Sequence, residues 1–335
     1  MKQWQAVYAW AERVAAGERL ETVIWERLLA WPEDEVWGLL PATTALREWF
    51  CGSGVHLCTI CNAKSGGCSE DCGFCAQSQS ARGTVPSYPL QAGPELVAVG
   101  QDAAKNCVHR FAAVTAGRGL PEGEAKTVAA ALSALPDSGI GTCASLGIIS
   151  EISLKTLREA GVRRYHHNLE TARGYFPKVC TTHSYEDRVA MIERAKAAGF
   201  SICSGGIFGM GETDAHVVEL GRALEALGVD AVPINFFVPL EGTRLAAQHN
   251  LTPLRCLKII ALLRFLLPRQ DLIVCGGREY NLRELHPFIF QAGANGIMTG
   301  NYLTTTGRTP AQDRAMIADL GLHERASQNA GGNLQ

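Results

Sequence analysis

From about residue 55 to residue 299 the chain alternates short apolar runs with longer helical stretches, and it does so eight times. The expected strands are 55–63, 110–115, 141–145, 164–169, 201–205, 231–237, 272–274 and 296–299. The helical stretches between them include 94–105, 123–134, 153–160, 185–198, 214–227 and 252–267. Alternation of this kind implies a parallel sheet, and eight units are the number that closes a (β/α)8 TIM-type barrel. Ala-Gly pairs ahead of strands, at Ala160-Gly161, Ala198-Gly199 and Ala292-Gly293, fit helix C-terminal caps. The fold class is therefore expected to be α/β. Residues 1–50 read as an N-terminal helical cap, with Trp10, Val14, Leu20, Val23, Ile24, Leu28 and Leu29 as its apolar face. The barrel is expected over 51–310, and 311–335 as a C-terminal helix with a disordered Gly/Asn/Gln-rich tail from 327 to 335.

In such a barrel, chemistry gathers at the C-terminal ends of the strands. The loop after the first strand holds Cys68-Ser69-Glu70-Asp71-Cys72-Gly73-Phe74-Cys75, a C-x3-C-x2-C run. Three thiolates on one short loop can hold three irons of a cubane and leave the fourth open for a ligand. Gly66, Gly67 and Gly73 let the backbone wrap closely around a cofactor. The spacing resembles that of radical S-adenosylmethionine enzymes. A zinc ribbon built on Cys58-x2-Cys61 and Cys72-x2-Cys75 is the competing reading, and it leaves Cys68 idle. A disulfide framework does not suit 335 residues with no visible secretory leader.

Composition narrows the function classes. At 47% hydrophobic the chain can bury a large core without staples, and a net charge of -2 leaves no footprint for nucleic acid or an anionic membrane. The longest apolar run, 259–268, is interrupted by Arg264 and is too short to span a bilayer. Twelve cysteines then imply a reducing cytoplasm and metal chemistry.

Three further strand ends are chemically unusual. The fourth ends in Tyr165-His166-His167-Asn168-Leu169-Glu170, and alternation puts His166, Asn168 and Glu170 on one face. The fifth runs into Gly205-Gly206-Ile207-Phe208-Gly209, whose glycines would let a flat ring lie against backbone or would simply make a turn. The sixth places Asn235 among large apolar residues, where an amide needs backbone or substrate as partner.

Taken together, the cysteine loop, His166-His167-Asn168-Leu169-Glu170, Cys203-Ser204-Gly205-Gly206-Ile207 and Gly276-Gly277-Arg278-Glu279 resemble biotin synthases from about residue 20 to about residue 310. That resemblance implies insertion of sulfur between two unactivated carbons of dethiobiotin, giving biotin. It implies a [4Fe-4S] cluster on Cys68, Cys72 and Cys75, S-adenosylmethionine cleaved to a 5′-deoxyadenosyl radical, and an auxiliary cluster that donates the sulfur. By matching position, Asn168 and Asn235 would hold the ureido ring, Glu170 the ribose and Arg188 the carboxylate of S-adenosylmethionine, and Phe74 and Ile207 its adenine. A homodimer and a reductant such as flavodoxin or ferredoxin are implied as well. The alternatives are another radical enzyme of the same subgroup, acting on an amino acid or cofactor precursor, and a non-enzymatic zinc or redox-sensing module.

One departure matters. The better-known biotin synthases hold a two-iron auxiliary cluster with three cysteines and an arginine; here the arginine position falls on Ile273 and one cysteine position on Ala112, leaving Cys143 and Cys203. Cys58, Cys143, Cys203 and Cys275 lie on or at the ends of the first, third, fifth and seventh strands. Barrel interiors stack in layers of four drawn from alternate strands, so these thiols could converge on a four-iron centre. Cys61 competes with Cys58, because alternation turns one away if the other faces in. Cys51, Cys107, Cys180 and Cys256 are expected to be no more than small buried hydrophobes.

Overall fold

The computed structural model describes residues 3–83, 85–135, 139–303 and 307–325. The tail expected over 327–335 lies outside the described residues. Strands β1 (Gly54–Lys64), β2 (Arg110–Thr115), β3 (Gly141–Ser145), β4 (Arg164–His166), β5 (Ser201–Cys203), β6 (Gly206–Phe208), β7 (Ala231–Phe236), β8 (Asp271–Val274) and β9 (Gly296–Met298) form one parallel sheet. It closes where β1 pairs with β9, through His56–Gly296, Leu57–Ile297 and Cys58–Met298. β5 and β6 are two pieces of the fifth stave, so the barrel has eight. The break is Ser204-Gly205; a Cβ on Gly205 would lie 2.1 Å from the Pro233 carbonyl oxygen, and one on Gly206, which opens β6, 2.5 Å from that of Glu170. Only glycine permits that approach to both neighbouring staves.

β2 and β3 match the expected spans to the residue, but the fourth strand, expected over 164–169, ends at His166, and the fifth, expected over 201–205, is split into Ser201–Cys203 and Gly206–Phe208. One addition is β10 (His323–Glu324), which pairs in parallel with the start of β1 and carries the C-terminal segment back onto the barrel.

Helix Pro253–Leu266 shows why the N-terminal helices are needed. Its residues from Cys256 to Leu266 are all buried, so it is apolar on every side and cannot face water. The 3-10 turn Glu33–Gly38 and helix Leu40–Cys51 pack against it from the N-terminal region. Lys258 fastens the junction: its Nζ donates to the carbonyls of Leu29 (2.8 Å) and Trp31 (2.7 Å) and pairs with Asp214. Among the described residues no helix is long and apolar enough to cross a membrane.

The C-terminal helix Pro310–Asp319 is held by a fully buried ion pair, Arg278 Nη2 to Asp313 Oδ2 at 2.7 Å. Removing one partner of such a pair strands the other charge, at a cost of about 3–5 kcal/mol. Asp313→Asn should lower the urea midpoint of the anaerobically prepared protein correspondingly, whereas Asp319→Asn, at an exposed position, should leave it unchanged.

Candidate active site and metal centres

The cysteine loop leaves the C-terminal end of β1 and is folded back on itself by polar contacts. Gly66 (φ +76) sits where a Cβ would meet the Ser87 hydroxyl at 2.4 Å. Gln77 Oε1 accepts from the Gly66 N–H (2.8 Å) and from Ser65 Oγ (3.1 Å). The loop then docks on residues 178–183. Gly73 N–H donates to the Val179 carbonyl at 2.8 Å, and Arg244 Nη2 donates to the carbonyls of Val179 (2.7 Å) and Asp71 (3.2 Å). Burial disfavours the Asp71 carboxylate, but bonds from the hydroxyl and N–H of Thr181 and from the Thr182 N–H outweigh it and hold Asp71 well below the usual range.

Next to it runs a buried relay. Arg188 Nε donates to His183 Nε2 at 3.0 Å, so that nitrogen must offer its lone pair, and the Nδ1–H of His183 points to Glu70 Oε2. Arg188 Nη1 also donates to the Asn168 carbonyl (2.9 Å) and to Glu170 Oε1 (3.2 Å). Glu170 is held at φ +68, a conformation uncommon for a side-chain-bearing residue. Its carbonyl accepts from the Ile207 N–H at 2.8 Å. The cysteine loop, the end of β4 and the start of β6 are thereby one connected unit.

Inside the barrel is a cavity of about 410 Å³. Phe74, Asn168, Glu170, Ile207 and Asn235 line it, and so do Cys58, Cys143, Cys203 and Cys275. Phe74 and Ile207 pack on one apolar cluster with Tyr175, Met210 and Phe237. As alternation predicts, His166 faces in, while His167 and Leu169 are buried away from the cavity. Both amides use part of their capacity on the protein. Asn168 accepts from the Gly205 N–H (3.1 Å) and donates to Glu170 (3.3 Å); Asn235 accepts from Gly276 N–H (3.1 Å) and donates to the Gly206 carbonyl (3.2 Å). A carboxamide has two donors and two acceptor sites, so each keeps capacity for a ligand.

The four barrel thiols act on one another across the cavity. Interaction with Cys275 holds Cys58 below its usual range, the same interaction together with burial raises Cys275, and Cys143 and Cys58 add to the rise of Cys203. Burial pushes Cys143 up to about 11 and Cys203 higher still. Cys203 Sγ lies 3.3 Å from His166 Nδ1, and burial lowers that imidazole to about 4, leaving it neutral at physiological pH. Ile273 and Ala112 also line the cavity and offer no ligand atom. Among the described residues, Arg110 Nε and Nη1 and Arg164 Nη1 on the cavity lining are buried without a partner, as is Arg278 Nη1 near Cys58 and Cys275. Four thiols facing unmatched cationic donors fit an anionic metal–sulfur centre.

The zinc-ribbon reading fails on geometry. Cys58 faces the cavity, whereas Cys61 is buried in the helix-side core with its thiol 3.6 Å from Gln91 Oε1; one ion cannot reach both faces of a strand. The remaining cysteines divide. Cys256 is core and Cys51 half-buried, but Cys107 is exposed, so it is not the buried hydrophobe expected. Cys180 is buried, and its sulfur lies 3.7 Å from that of Cys72, a contact across 108 residues of sequence that spacing could not show. Arg110 and Arg164 were also missed, although Arg164 shares the strand phase of His166 and Asn168 and so carried a legible signal.

A (β/α)8 barrel with a three-cysteine loop at its mouth and thiols within defines a radical S-adenosylmethionine enzyme. Residues 63–224 match the model described as the radical SAM superfamily, and residues 233–323 that of the biotin and thiamin synthesis associated domain. The biotin synthase of Desulfatibacillum aliphaticivorans is 53% identical over 312 residues, covering 93% of this chain and 95% of the relative. That of Geobacter sulfurreducens is 47% identical over 317 residues, covering 94% and 96%. Among solved structures, methylornithine synthase superposes with a TM-score of 0.80 at 20% identity, over 95% of this chain and 98% of that one, a likeness of fold alone. The chain belongs to the biotin synthase family. Enzymes of this kind carry a [4Fe-4S] cluster, S-adenosylmethionine and an auxiliary iron–sulfur cluster.

The orientation of Cys61 is testable by pH. Burial raises its thiol to about 11. In the unfolded chain it ionises near the ordinary value of about 8.5, so the unfolded state binds fewer protons between the two values. The stability contribution is therefore full below that window and is lost as pH rises through it. Urea unfolding across the window should show Cys61→Ala losing less stability with pH than the unaltered chain.

Proposed function

We propose that this chain inserts sulfur between two unactivated carbons of dethiobiotin, holding its catalytic cluster on Cys68, Cys72 and Cys75 and a four-iron auxiliary centre on Cys58, Cys143, Cys203 and Cys275. The observation that carries the reading is that all four of the latter thiols line one cavity with Asn168 and Asn235. When bound, the loop cluster supplies the electron that cleaves S-adenosylmethionine, and the auxiliary centre supplies sulfur.

The protein's own part is to place and to shield. The free donor and acceptor of Asn168 and of Asn235 match the N–H and C=O pattern of a ureido ring. Phe74 and Ile207, backed by Tyr175, Met210 and Phe237, would close an apolar wall over the adenine and keep water from a radical. Glu170 has both carboxylate oxygens within reach of protein donors, so ribose hydroxyls would share rather than replace them. Arg188 would meet the carboxylate of S-adenosylmethionine as an extension of its ion pair with Glu170. Residues 1–50 as a cap and 51–310 as the barrel remain the domain reading that we favour. A cytoplasmic homodimer served by flavodoxin or ferredoxin is the setting consistent with the family.

Two outcomes test the assignment. Cys275→Ala should lose auxiliary iron and biotin formation while still producing 5′-deoxyadenosine, and Cys107→Ala should behave as the unaltered chain; full iron and normal biotin yield in Cys275→Ala would return the auxiliary site to Cys143, Cys203 and other partners. Asn235→Ala should weaken dethiobiotin binding by about 1–3 kcal/mol, measured as Kd by anaerobic titration, with S-adenosylmethionine binding largely kept. An unchanged Kd would remove Asn235 from the site.

A further inference from the structure

The floor of the cavity holds two arginines that no partner explains. Arg164 is more than nine-tenths buried; its Nε donates to Ser201 Oγ at 2.9 Å and its Nη1 has no partner. Arg110 makes no side-chain hydrogen bond among the described residues, and its Nε and Nη1 are both buried. Its guanidinium lies over Gly141, where a Cβ would fall 2.9 Å from Nη1, so the glycine leaves the room the arginine occupies. Among the described residues neither arginine has an ion pair. Arg278, the third guanidinium near these thiols, differs in being matched by Asp313 and Glu279.

The charges around Arg110 run one way. Besides burial, which lowers its affinity for the proton, its neighbours are Arg164, which repels it, and Cys143, Cys203 and Cys58, which favour it only as thiolates. Two adjacent buried cations with unsatisfied donors are costly unless an anion sits against them. The strand ladders set the depth of that anion. Arg110 is paired in register with Cys58, and Arg164 with Cys143. Asn168 lies four residues further along the chain from Arg164, about 13 Å toward the mouth if extended. The guanidiniums therefore stand at the level of Cys58 and Cys143, two residues deeper than Cys203, which is in register with His166, and deeper than the amides.

Resting on the four-thiolate reading above, we propose that Arg110 and Arg164 form the counter-charge of the auxiliary cluster, donating to its sulfurs and setting its reduction potential. A four-iron, four-thiolate centre in its oxidised resting state carries a net double negative charge, which two guanidiniums neutralise. Reduction adds a further negative charge, so nearby cations stabilise the reduced state and raise the potential. Both arginines act as positioning residues through the cluster and not on the substrate.

The experiment is a redox titration of the anaerobically reconstituted holoenzyme, followed by electron paramagnetic resonance and Mössbauer spectroscopy, with the loop cluster as internal reference. Arg164→Met should move the auxiliary signal to lower potential, so that a smaller fraction is reduced at a poise that reduces half of it in the unaltered enzyme. Arg164→Lys, which keeps the charge, should restore most of that fraction. Arg110→Gln should shift in the same direction as Arg164→Met and serves if the latter fails to fold. A titration unchanged in Arg164→Met or Arg110→Gln overturns the proposal. So does equal loss of auxiliary iron in Arg164→Met and Arg164→Lys with no shift in what remains, which marks a packing role. A many-fold rise in the Kd for dethiobiotin with the potential unmoved would assign the pair to the substrate carboxylate and likewise overturn it. Failure of the four-thiolate reading shows separately, as full iron in Cys275→Ala, and removes the basis of both.

Discussion

Closure of β1 onto β9 is the constraint on which the rest depends, because a closed barrel has an interior that must be filled. Aliphatic layers are the usual filling. This barrel uses some, with Ala231, Ile273 and Met298 packed beside Cys203 and Cys275. It also places thiols and guanidiniums there. A protonated thiol is small, soft and nearly apolar, so it can be buried without a counter-charge. A guanidinium cannot shed its charge. The side chains of the interior thus supply positive charge openly and negative charge only in reserve, since thiols that hold a metal must give up their protons.

The mouth of the barrel solves a different problem, that of holding a glycine-containing loop still. Glu70 and Asp71 lie between the loop cysteines, and both are spent on residues 181–183 instead of on solvent. His183 passes the contact to Arg188, and Arg188 passes it to the end of β4. The backbone of Glu170 is strained, and the strain is held by the Ile207 N–H and by the bridge to Gly206. A continuous chain of bonded contacts thus joins the loop to Asn168.

How much of this was legible follows from whether the cause is local. Strand and helix spans rest on periodicity, which is local, and most are legible to within a residue or two; the fourth strand, which stops at His166, and the break in the fifth are not. The inward face of His166, Asn168 and Glu170 is a matter of parity, and parity also separated Cys58 from Cys61 once one of them was known to face in. Gly205-Gly206 reads from sequence as backbone against which a flat ring could lie or as a tight turn; the structure adds a cause that sequence does not show, the close approach of Pro233 and Glu170 from two other staves. Helix Pro253–Leu266 has no amphipathic pattern because residues more than 200 positions earlier cover it. Cys180 beside Cys72 and the arginine pair under Cys58 and Cys143 are juxtapositions of distant segments. For Arg164 the strand phase was visible, but the missing counter-ion was not.

The electrostatics of the cavity are also lopsided. Arg110 and Arg164 act on Cys58, Cys143 and Cys203. The strongest influences on Cys275 are the competing thiol Cys58, burial and Cys203, relieved by Arg278, whose charge is already matched by Asp313 and Glu279. Neither Arg110 nor Arg164 is among the leading influences on Cys275. Cys275 is also the cysteine joined to the amide Asn235, through the N–H of the next residue, Gly276.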